Sequence, residues 1–457
     1  MKRREFMVSV ALGTSLSVGR AMAAEAPMRI ATFQADVTTP VGGVLCHGNV
    51  APAKEILDPL TARGIVLLGA GAPIVLCAVD WVGIGNKSHD LWRAALAKAA
   101  GTSADRVTVH VVHQHSAPGI DHSTEELLAA AGLSGRMFDV DTAQACLENV
   151  AGAVAEAIKT PRRVTHVGSG RGKVEKFASN RRILGADGRI KRTRMSSCRN
   201  QLAIDAPEGI IDPYCRALSF WDGDRPLAVL TYYATHPQSY YGRGGVSADT
   251  VGVARAARES VLPGVSCIHF NGAGGDIAAG KYNDGSEKNR RILGLRLAQG
   301  MKIAWETTKK TPVSASDVGW RVAPVQLPVR ASIKEADRIE KLANTTLKQR
   351  SRVFAARDLS WSRRMGGGHH LELGCLRIGR THVLHMPGEL CIEYQLAASK
   401  MRPDDFVCMA AYSDLGPGYI CTKIAYSQGG YETGFVSRVA PDVEGVLLDA
   451  MRKMLDV

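Results

Sequence analysis

The stretch DRVTVHVVHQHSAPG (residues 105–119) is an apolar run that stops at two histidines and a Pro-Gly turn. Its first half is typical of a short buried strand, and the turn marks where that strand stops. His113 and His115 lie between the run and the turn. Residues i and i+2 of a strand point to the same face, so both imidazoles could converge on one ligand. Alone, the pair fits a hydrogen-bonded structural pair as well as a metal site.

The same arrangement recurs along the chain, where further apolar runs stop at residues capable of chemistry. TYYATHPQ places His236 after such a run, GVSCIHFNGAGGD ends at Asp276, and RTHVLHMPGE ends at Glu389. Helical patterns such as DVDTAQACLENVAGAVAEAIKT (residues 139–160) lie between the runs. Strands that alternate with helices predict the α/β class, with mixed β-sheets flanked by helices. We expect the active site at the carboxyl ends of the strands.

Two or three histidines and one carboxylate form a typical catalytic zinc shell with an open coordination position. His113, His236 and Glu389 supply that combination, and each follows a strand-like run. Neutral imidazoles suit zinc, and a carboxylate keeps the charge of the complex low. The sequence therefore predicts a zinc site built from strand ends that are distant along the chain.

The first residues, MKRREFMVSVALGTSLSVGRAMAAEAP, predict export of the protein. Lys2, Arg3 and Arg4 precede the apolar stretch 6–18, and Ala21-Met22-Ala23 fits a cleavage site. Residues 1–24 are therefore expected to be a twin-arginine-type signal peptide and residues 25–457 the catalytic domain. A periplasmic or secreted location follows from this prediction. The oligomeric state is not predicted.

The chain of 457 residues carries a formal net charge of +13, but its basic residues are scattered and no nucleic-acid-binding motif is evident. We expect no nucleic-acid partner and favour a solvated basic surface. Attraction to anionic lipid, which would bring peripheral membrane contact, or to an anionic substrate is the alternative. The ten cysteines lie largely in strand-like runs and fit buried small side chains better than a disulfide framework, with one or two disulfides left open.

Several segments, taken in order, resemble the neutral/alkaline non-lysosomal ceramidase superfamily over roughly residues 28–440. VHQHSAPG is similar to its HTHSGPG segment, TYYATHPQ to its second zinc-histidine segment and MPGELCIEY to its PGE segment. SNRR (179–182), ADVTTPVG (35–42) and GYICTKIAYSQGGYETG (418–434) resemble further family segments. Each match alone is weak, and together they are fairly specific.

This resemblance implies hydrolysis of an amide in an N-acyl lipid of the sphingolipid type, by zinc-activated water. It implies that His113, His236 and Glu389 bind Zn²⁺ and that Tyr426 is the fourth ligand, with Tyr431 as the alternative. The catalytic residues would be His115, Arg181 and Asp276: His115 beside the water or substrate oxygen, Arg181 at the scissile group and Asp276 in the glycine-rich turn. From spacing alone, half-buried aromatic residues of a turn-rich loop are the better fit for both tyrosines.

Two departures leave the substrate open. The family segment GDVS carries a catalytically important serine, whereas GDIA places Ala278 there. The C-terminal immunoglobulin-like domain of known ceramidases is also missing from the match. A related metal hydrolase that cleaves an ester, a lactone or another small amide is one alternative. A catalytically impaired zinc-containing binding protein is the other. The charged helical stretch 332–365 is interpreted as a lid or an insertion.

Overall fold

The computed structural model of the chain describes residues 27–457, in which strands and helices alternate. The strands are β1 (Arg29–Asp36), β2 (Glu55–Ile56), β3 (Thr61–Gly69), β4 (Gly71–Val79), β5 (Gly83–Ile84), β6 (Val107–Val111), β7 (Gly119–Ile120), β8 (Arg162–Arg163), β9 (His166–Lys173), β10 (Ser179–Asn180), β11 (Arg182–Leu184), β12 (Ile190–Thr193), β13 (Tyr214–Asp222), β14 (Arg225–Tyr233), β15 (Gly245–Val246), β16 (Ser266–Asn271), β17 (Ile277–Ala278), β18 (Lys309–Pro312), β19 (Val318–Val325), β20 (Leu371–Ile378), β21 (Thr381–His385), β22 (Glu389–Leu390), β23 (Phe406–Ala410) and β24 (Tyr419–Ile420). The α-helices are α1 (Lys87–Ala100), α2 (His122–Ala130), α3 (Val140–Ala157), α4 (Gln201–Asp205), α5 (Asp249–Glu259), α6 (Glu287–Glu306), α7 (Glu335–Ala343), α8 (Gln349–Gly366), α9 (Ile392–Met401), α10 (Lys423–Gln428) and α11 (Val443–Leu455), and short 3-10 turns lie at Cys46–Gly48, Ala104–Arg106 and Ala315–Asp317. The predicted mixed α/β class is confirmed.

Three larger sheets organise the part of the chain that the structure describes. Their strand orders are β6-β4-β3-β1-β8, β16-β14-β13-β9-β18 and β19-β20-β21-β23. Most neighbouring strands are antiparallel, but each sheet also holds a parallel pair: β4 with β6, β14 with β16, and β21 with β23. A parallel pair needs a crossover connection, and α1, α5 and α9 lie in these three connections. Each sheet therefore contributes one β-α-β unit.

The first sheet is buried on both faces. Alternate residues of β4 face opposite sides, so that Val75, Cys77 and Val79 enter one hydrophobic cluster while Leu76 and Ala78 enter another. The first cluster includes side chains of α1, α3, α8 and α11. The second joins the first sheet to the other two sheets. This double burial explains why the strands have continuous apolar sequences.

Cys391 and Cys421 form a disulfide, and the other eight cysteines are free thiols, of which seven are buried. The sequence prediction of buried thiols therefore holds for most of the cysteines, and one disulfide is present among the one or two that were left open. The charged stretch 332–365 forms α7 and most of α8, which pack against each other. The signal-peptide prediction lies outside the described residues. Within residues 27–457, no helix has both the length and the hydropathy needed to cross a bilayer.

Candidate metal centre

Three side chains from three sheets converge on one point. His113 follows β6, His236 follows β14, and Glu389 follows β21, so each belongs to a different β-α-β unit. One ligand atom from each lies within 4.8 Å of the others. Glu389 Oε2 is 3.2 Å from His113 Nε2 and 3.1 Å from His236 Nε2. All three residues are at least nine-tenths buried. The predicted convergence of strand ends is what brings them together.

The backbone fixes which nitrogen each imidazole presents. His113 Nδ1 donates to the Val82 carbonyl at 2.6 Å, and His236 Nδ1 donates to the Gly274 carbonyl at 2.6 Å. A proton held on Nδ1 leaves the lone pair on Nε2, the atom that faces Glu389. Hydrogen bonds of this kind orient histidine ligands in metal sites. Both rings are therefore arranged to bind a cation through Nε2.

Electrostatics favour a neutral imidazole beside an ionised carboxylate. Burial lowers the pKa of His236 to about 3, and the nearby positive charge of Arg181 acts in the same direction, against Glu389. For Glu389, burial would raise the pKa, but the adjacent imidazoles of His113 and His236 hold it well below its usual range. At neutral pH these groups therefore offer a lone pair and a negative charge, which is the donor set that a divalent cation needs.

Tyr419 supplies the phenol oxygen beside these three residues. Its Oη lies 3.1 Å from His236 Nε2, and Arg181 Nη1 donates to the same oxygen at 3.0 Å. Burial and the negative charge of Glu389 raise the pKa of this phenol, while Arg181 opposes them. Tyr419 directly follows the Gly-Pro-Gly turn at residues 416–418, which comes after the strand-like run DFVCMAA, but the sequence interpretation passed over it.

The two tyrosines named from the sequence lie elsewhere. The Tyr426 hydroxyl donates to the Val439 carbonyl at 3.2 Å and lies 3.1 Å from the Ser437 hydroxyl. The ring of Tyr431 packs edge to face on Tyr419, with 5.5 Å between centroids, and lines the adjacent pocket. We call His113, His236 and Glu389 the candidate metal-ligand group, or metal-ligand group for short. The Tyr419 oxygen, rather than the Tyr426 oxygen, lies beside it.

His115 stands beside the metal-ligand group, as expected from its spacing. Its Nε2 is 3.3 Å from His113 Nε2, and its Nδ1 is 3.5 Å from Cys46 Sγ. Burial, followed by the charges of His113 and His236, lowers the pKa of His115 well below its usual range. The ring lines the pocket. His115 is therefore a neutral imidazole at the pocket wall.

Arg181 and Asp276 lie behind the ligands. Arg181 is 1% exposed, and besides Tyr419 it contacts the Gly275 carbonyl at 3.2 Å. Burial alone would lower the pKa of Arg181, but Tyr419 and Glu432 outweigh burial and raise this pKa above its usual range. The guanidinium therefore stays charged. Asp276 accepts hydrogen bonds from Asn180 Nδ2 and from the backbone N–H of Ile392, both at 2.8 Å. Both residues hold segments of the site together in this structure.

Asp276 directly follows the glycine-rich turn and is fully buried. Burial, together with the charge of Glu393, raises the pKa of Asp276 to about 8. Asp276, Cys391 and Glu393 also lie close enough to hold a cation, but the Cys391 sulfur is bound in the disulfide. Ala278 is fully buried in β17, where it pairs with Ser179.

A pocket of about 290 Å³ opens onto the metal-ligand group. Its wall includes His113, His115, Glu389 and Tyr419, and other side chains complete it: Cys46, His47, Val50, Val82, Tyr241, Arg350, Phe354, Arg357, Leu415, Tyr431, Val436 and Arg438. The volume is at the small end of the range for ligand sites. The pocket combines apolar surface with three arginines that the sequence interpretation did not connect to the site.

The fold of this chain is similar to that of solved ceramidase structures. A structure described as a ceramidase complexed with C2 matches with a TM-score of 0.69 at 16% identity, over 94% of this chain and 76% of that one. The neutral ceramidase from Pseudomonas aeruginosa matches with a TM-score of 0.68 at 18% identity, over 94% and 75%. No family model and no curated protein matches the chain. The resemblance found in the sequence is thus confirmed for the fold.

Proposed function

We propose that the protein is a zinc-dependent hydrolase that cleaves the amide bond of an N-acyl substrate. The observation that carries this proposal is the convergence of His113, His236 and Glu389 on one point at a pocket wall. The ceramidase fold supports an amide as the scissile bond. A lipid amide of the sphingolipid type is the substrate class that the similarity to solved ceramidases suggests.

The donor atoms fit zinc. Two imidazole nitrogens and a carboxylate are a common protein shell of catalytic zinc, which leaves room for further ligands. We propose Tyr419, rather than Tyr426 or Tyr431, as the additional protein ligand because its oxygen lies 3.1 Å from His236 Nε2. When bound, a zinc ion supplies a Lewis acid for a carbonyl oxygen and makes water more acidic.

The residues of the chain would divide the remaining work. His115 lies at the pocket wall as a neutral imidazole, so it can take a proton from water and pass it to the leaving amine. Arg181 donates to the Tyr419 oxygen and holds that phenol in place, without itself being part of the pocket wall described above. Asp276 ties the Asn180 segment to α9 through two hydrogen bonds and so positions the loop that carries His236's carbonyl partner.

Export is part of the same proposal. The twin-arginine-type signal at residues 1–24 would deliver the catalytic domain, residues 25–457, to the periplasm or the medium. Mass spectrometry of the intact secreted protein tests it, since cleavage near Ala23 removes the basic N-terminal segment. Recovery of the uncleaved chain in the cytoplasm would contradict it.

Two alternatives keep the metal site but change the reaction. The small pocket favours an ester, a lactone or a small amide over a long-chain lipid amide that must be enclosed completely. Ala278, which stands at the serine position of the family segment, favours a catalytically impaired zinc-containing binding protein.

Matched acyl probes distinguish these readings of the site. The metal-loaded protein and its His113→Ala variant are incubated with an N-acyl amine and the O-acyl ester of the same acyl chain, and products are measured by mass spectrometry. Amide cleavage that disappears in the variant supports the proposal. Cleavage of the ester alone favours the first alternative, and no cleavage by a metal-loaded protein favours the second.

A further inference from the structure

Helix α8 presents one stripe of side chains to the pocket. Arg350, Phe354 and Arg357 are spaced by four and three residues, so they share one face of the helix, and all three line the pocket. Arg438, from the segment between α10 and α11, lines the same pocket. We call Arg350, Arg357 and Arg438 the arginine wall. The pocket thus holds three guanidinium groups together with the metal-ligand group.

Arg438 is buried but only partly paired. It is 1% exposed, and its Nε donates to Asp358 Oδ1 at 3.0 Å while Nη1 reaches the Gly416 carbonyl at 3.4 Å. Its Nη2 is buried and has no hydrogen-bond partner among the described residues. The other oxygen of Asp358 already accepts from Arg338 at 2.8 Å. Arg438, a residue of the pocket wall, therefore keeps one donor without a partner.

Arg357 is less compensated still. Within residues 27–457 it has neither a hydrogen-bond partner nor an ion-pair partner. Burial and the charge of Arg438 lower its pKa to about 10, against the charges of Asp121 and Glu389. The group stays cationic at neutral pH, and no acidic side chain among the described residues forms an ion pair with it. Its side chain is half-buried and lines the pocket, so an anionic ligand in the pocket would be its direct partner.

We propose that Arg357 and the free Nη2 of Arg438 bind an anionic group of the substrate, a carboxylate or a phosphate, while the scissile amide lies at the metal-ligand group. This inference rests on the proposed hydrolase function and names its substrate class: an N-acyl compound that also carries an acid. Guanidinium groups bind the oxygens of both anions through charge-assisted hydrogen bonds. The pocket of about 290 Å³ requires a short spacer between the acid and the amide.

Three acetamides of similar length test this specificity. N-acetyl-β-alanine carries a carboxylate, N-acetyl-2-aminoethyl phosphate carries a phosphate, and N-acetyl-β-alaninamide is neutral. We expect the parent protein to hydrolyse one of the anionic probes with a kcat/KM about 10-fold to 100-fold above that for the neutral probe, the effect of a charge-assisted hydrogen bond. The better of the two anions identifies the acid.

Two variants are compared, and each removes one arginine from helix α8. Arg357→Gln removes the unpaired guanidinium, and Arg363→Gln removes an exposed arginine of α8 that pairs with Glu335. We expect the first to abolish the preference and the second to retain it. Arg357→Gln should fold, because the half-buried guanidinium makes no hydrogen bond or ion pair among the described residues that the substitution would break, and its melting temperature checks this.

Binding of inorganic phosphate to the same proteins, measured by calorimetry, separates this inference from the hydrolase proposal. We expect Arg357→Gln to weaken binding about tenfold relative to the parent and to Arg363→Gln. Arg357-dependent binding without turnover of any probe supports the anion site and argues against the hydrolase. Turnover of charged and neutral probes at equal rates, with binding independent of Arg357, overturns the anion site alone. Neither turnover nor Arg357-dependent binding overturns both.

Discussion

Glu389 and Tyr419 are direct partners in the short parallel pair of β22 and β24. Each residue also precedes a cysteine by two positions, and Cys391 and Cys421 form the disulfide. Two side chains at the metal-ligand group are thus set by the same backbone pairing, and one covalent bond locks that pairing in register. The geometry of the candidate site therefore depends on a disulfide as well as on the strand ends.

Removing this disulfide should loosen the metal centre. In the Cys391→Ala/Cys421→Ala variant, we expect the free energy of unfolding to fall by about 2–4 kcal/mol, as for other disulfides that close a loop of this size. Metal affinity should fall too, because Glu389 and Tyr419 lose their common anchor. Urea unfolding and metal titration measure the two effects. Cys198→Ala, which removes a free thiol, is the control. Unchanged metal affinity in the double variant would contradict this account.

The choice between two tyrosines is tested by a pair of matched variants. Tyr419→Phe removes the oxygen that lies 3.1 Å from His236 Nε2, so we expect metal affinity to fall about tenfold or more. Tyr426→Phe removes an oxygen that bonds to Ser437 and Val439, so metal affinity should stay within about twofold of the parent value. Competition with a chelator gives both numbers. The reverse pattern would restore Tyr426 as the ligand.

His113 and His115 should have different roles although only one residue separates them: His113 is expected to bind the metal, and His115 is expected to transfer protons. His115→Gln is expected to retain the metal and to lose about 10²-fold to 10⁴-fold in kcat, the range for a general acid or base. His113→Gln is expected to lose the metal and the activity together. Metal analysis alongside kinetics on the acyl probes makes the comparison. Loss of metal from His115→Gln would assign His115 to the ligand shell instead.

Buried histidines outside the site should make the protein sensitive to acid. Burial lowers the pKa of His89, His110 and His269 to about 3 in each case. Unfolded histidines have a pKa near 6.5, so the unfolded chain binds more protons between about pH 3 and pH 6.5. Stability is therefore fully present above about pH 6.5 and is lost as the pH falls. Each histidine contributes about 1.4 kcal/mol per pH unit.

The measurement uses protein from which metal has been removed with a chelator. Its free energy of unfolding is determined by urea titration at several pH values between pH 4 and pH 7. We expect the dependence on pH to become shallower by about 1.4 kcal/mol per unit in His269→Gln. An identical slope in the variant and the parent would show that His269 is not held neutral by burial.

The three candidate metal ligands could be predicted because the signal that marks them is local in sequence. His113, His236 and Glu389 each follow a short apolar run, and the ends of these runs, which lie in three different sheets, meet at one point in the structure. The resemblance pointed to Tyr426, with Tyr431 as the alternative, and Tyr419 was not considered because the segment from 418 to 434 has no periodicity that would indicate which tyrosine faces inward. Only the pairing of β22 with β24 settles which phenol lies near the histidines.

Other features depend on contacts between distant segments. Arg357 lies in a helix whose sequence is highly charged, so its pattern predicts a solvated side chain, and only the packing of α8 places it at the pocket wall. The Cys391 and Cys421 pairing joins residues 30 positions apart, and ten cysteines allow many alternatives. The α/β class needed no such information, since it follows from alternating strand and helix patterns.

Metal content of the purified protein tests the central claim most directly. Elemental analysis compares the parent protein with His113→Ala and His236→Ala, and with Tyr426→Phe as the variant that leaves the ligand group intact. The account predicts about one zinc ion per chain in the parent and in Tyr426→Phe, and its loss from both histidine variants. A parent protein that takes up no stoichiometric metal on reloading, or histidine variants that keep it, would contradict the assignment of this site.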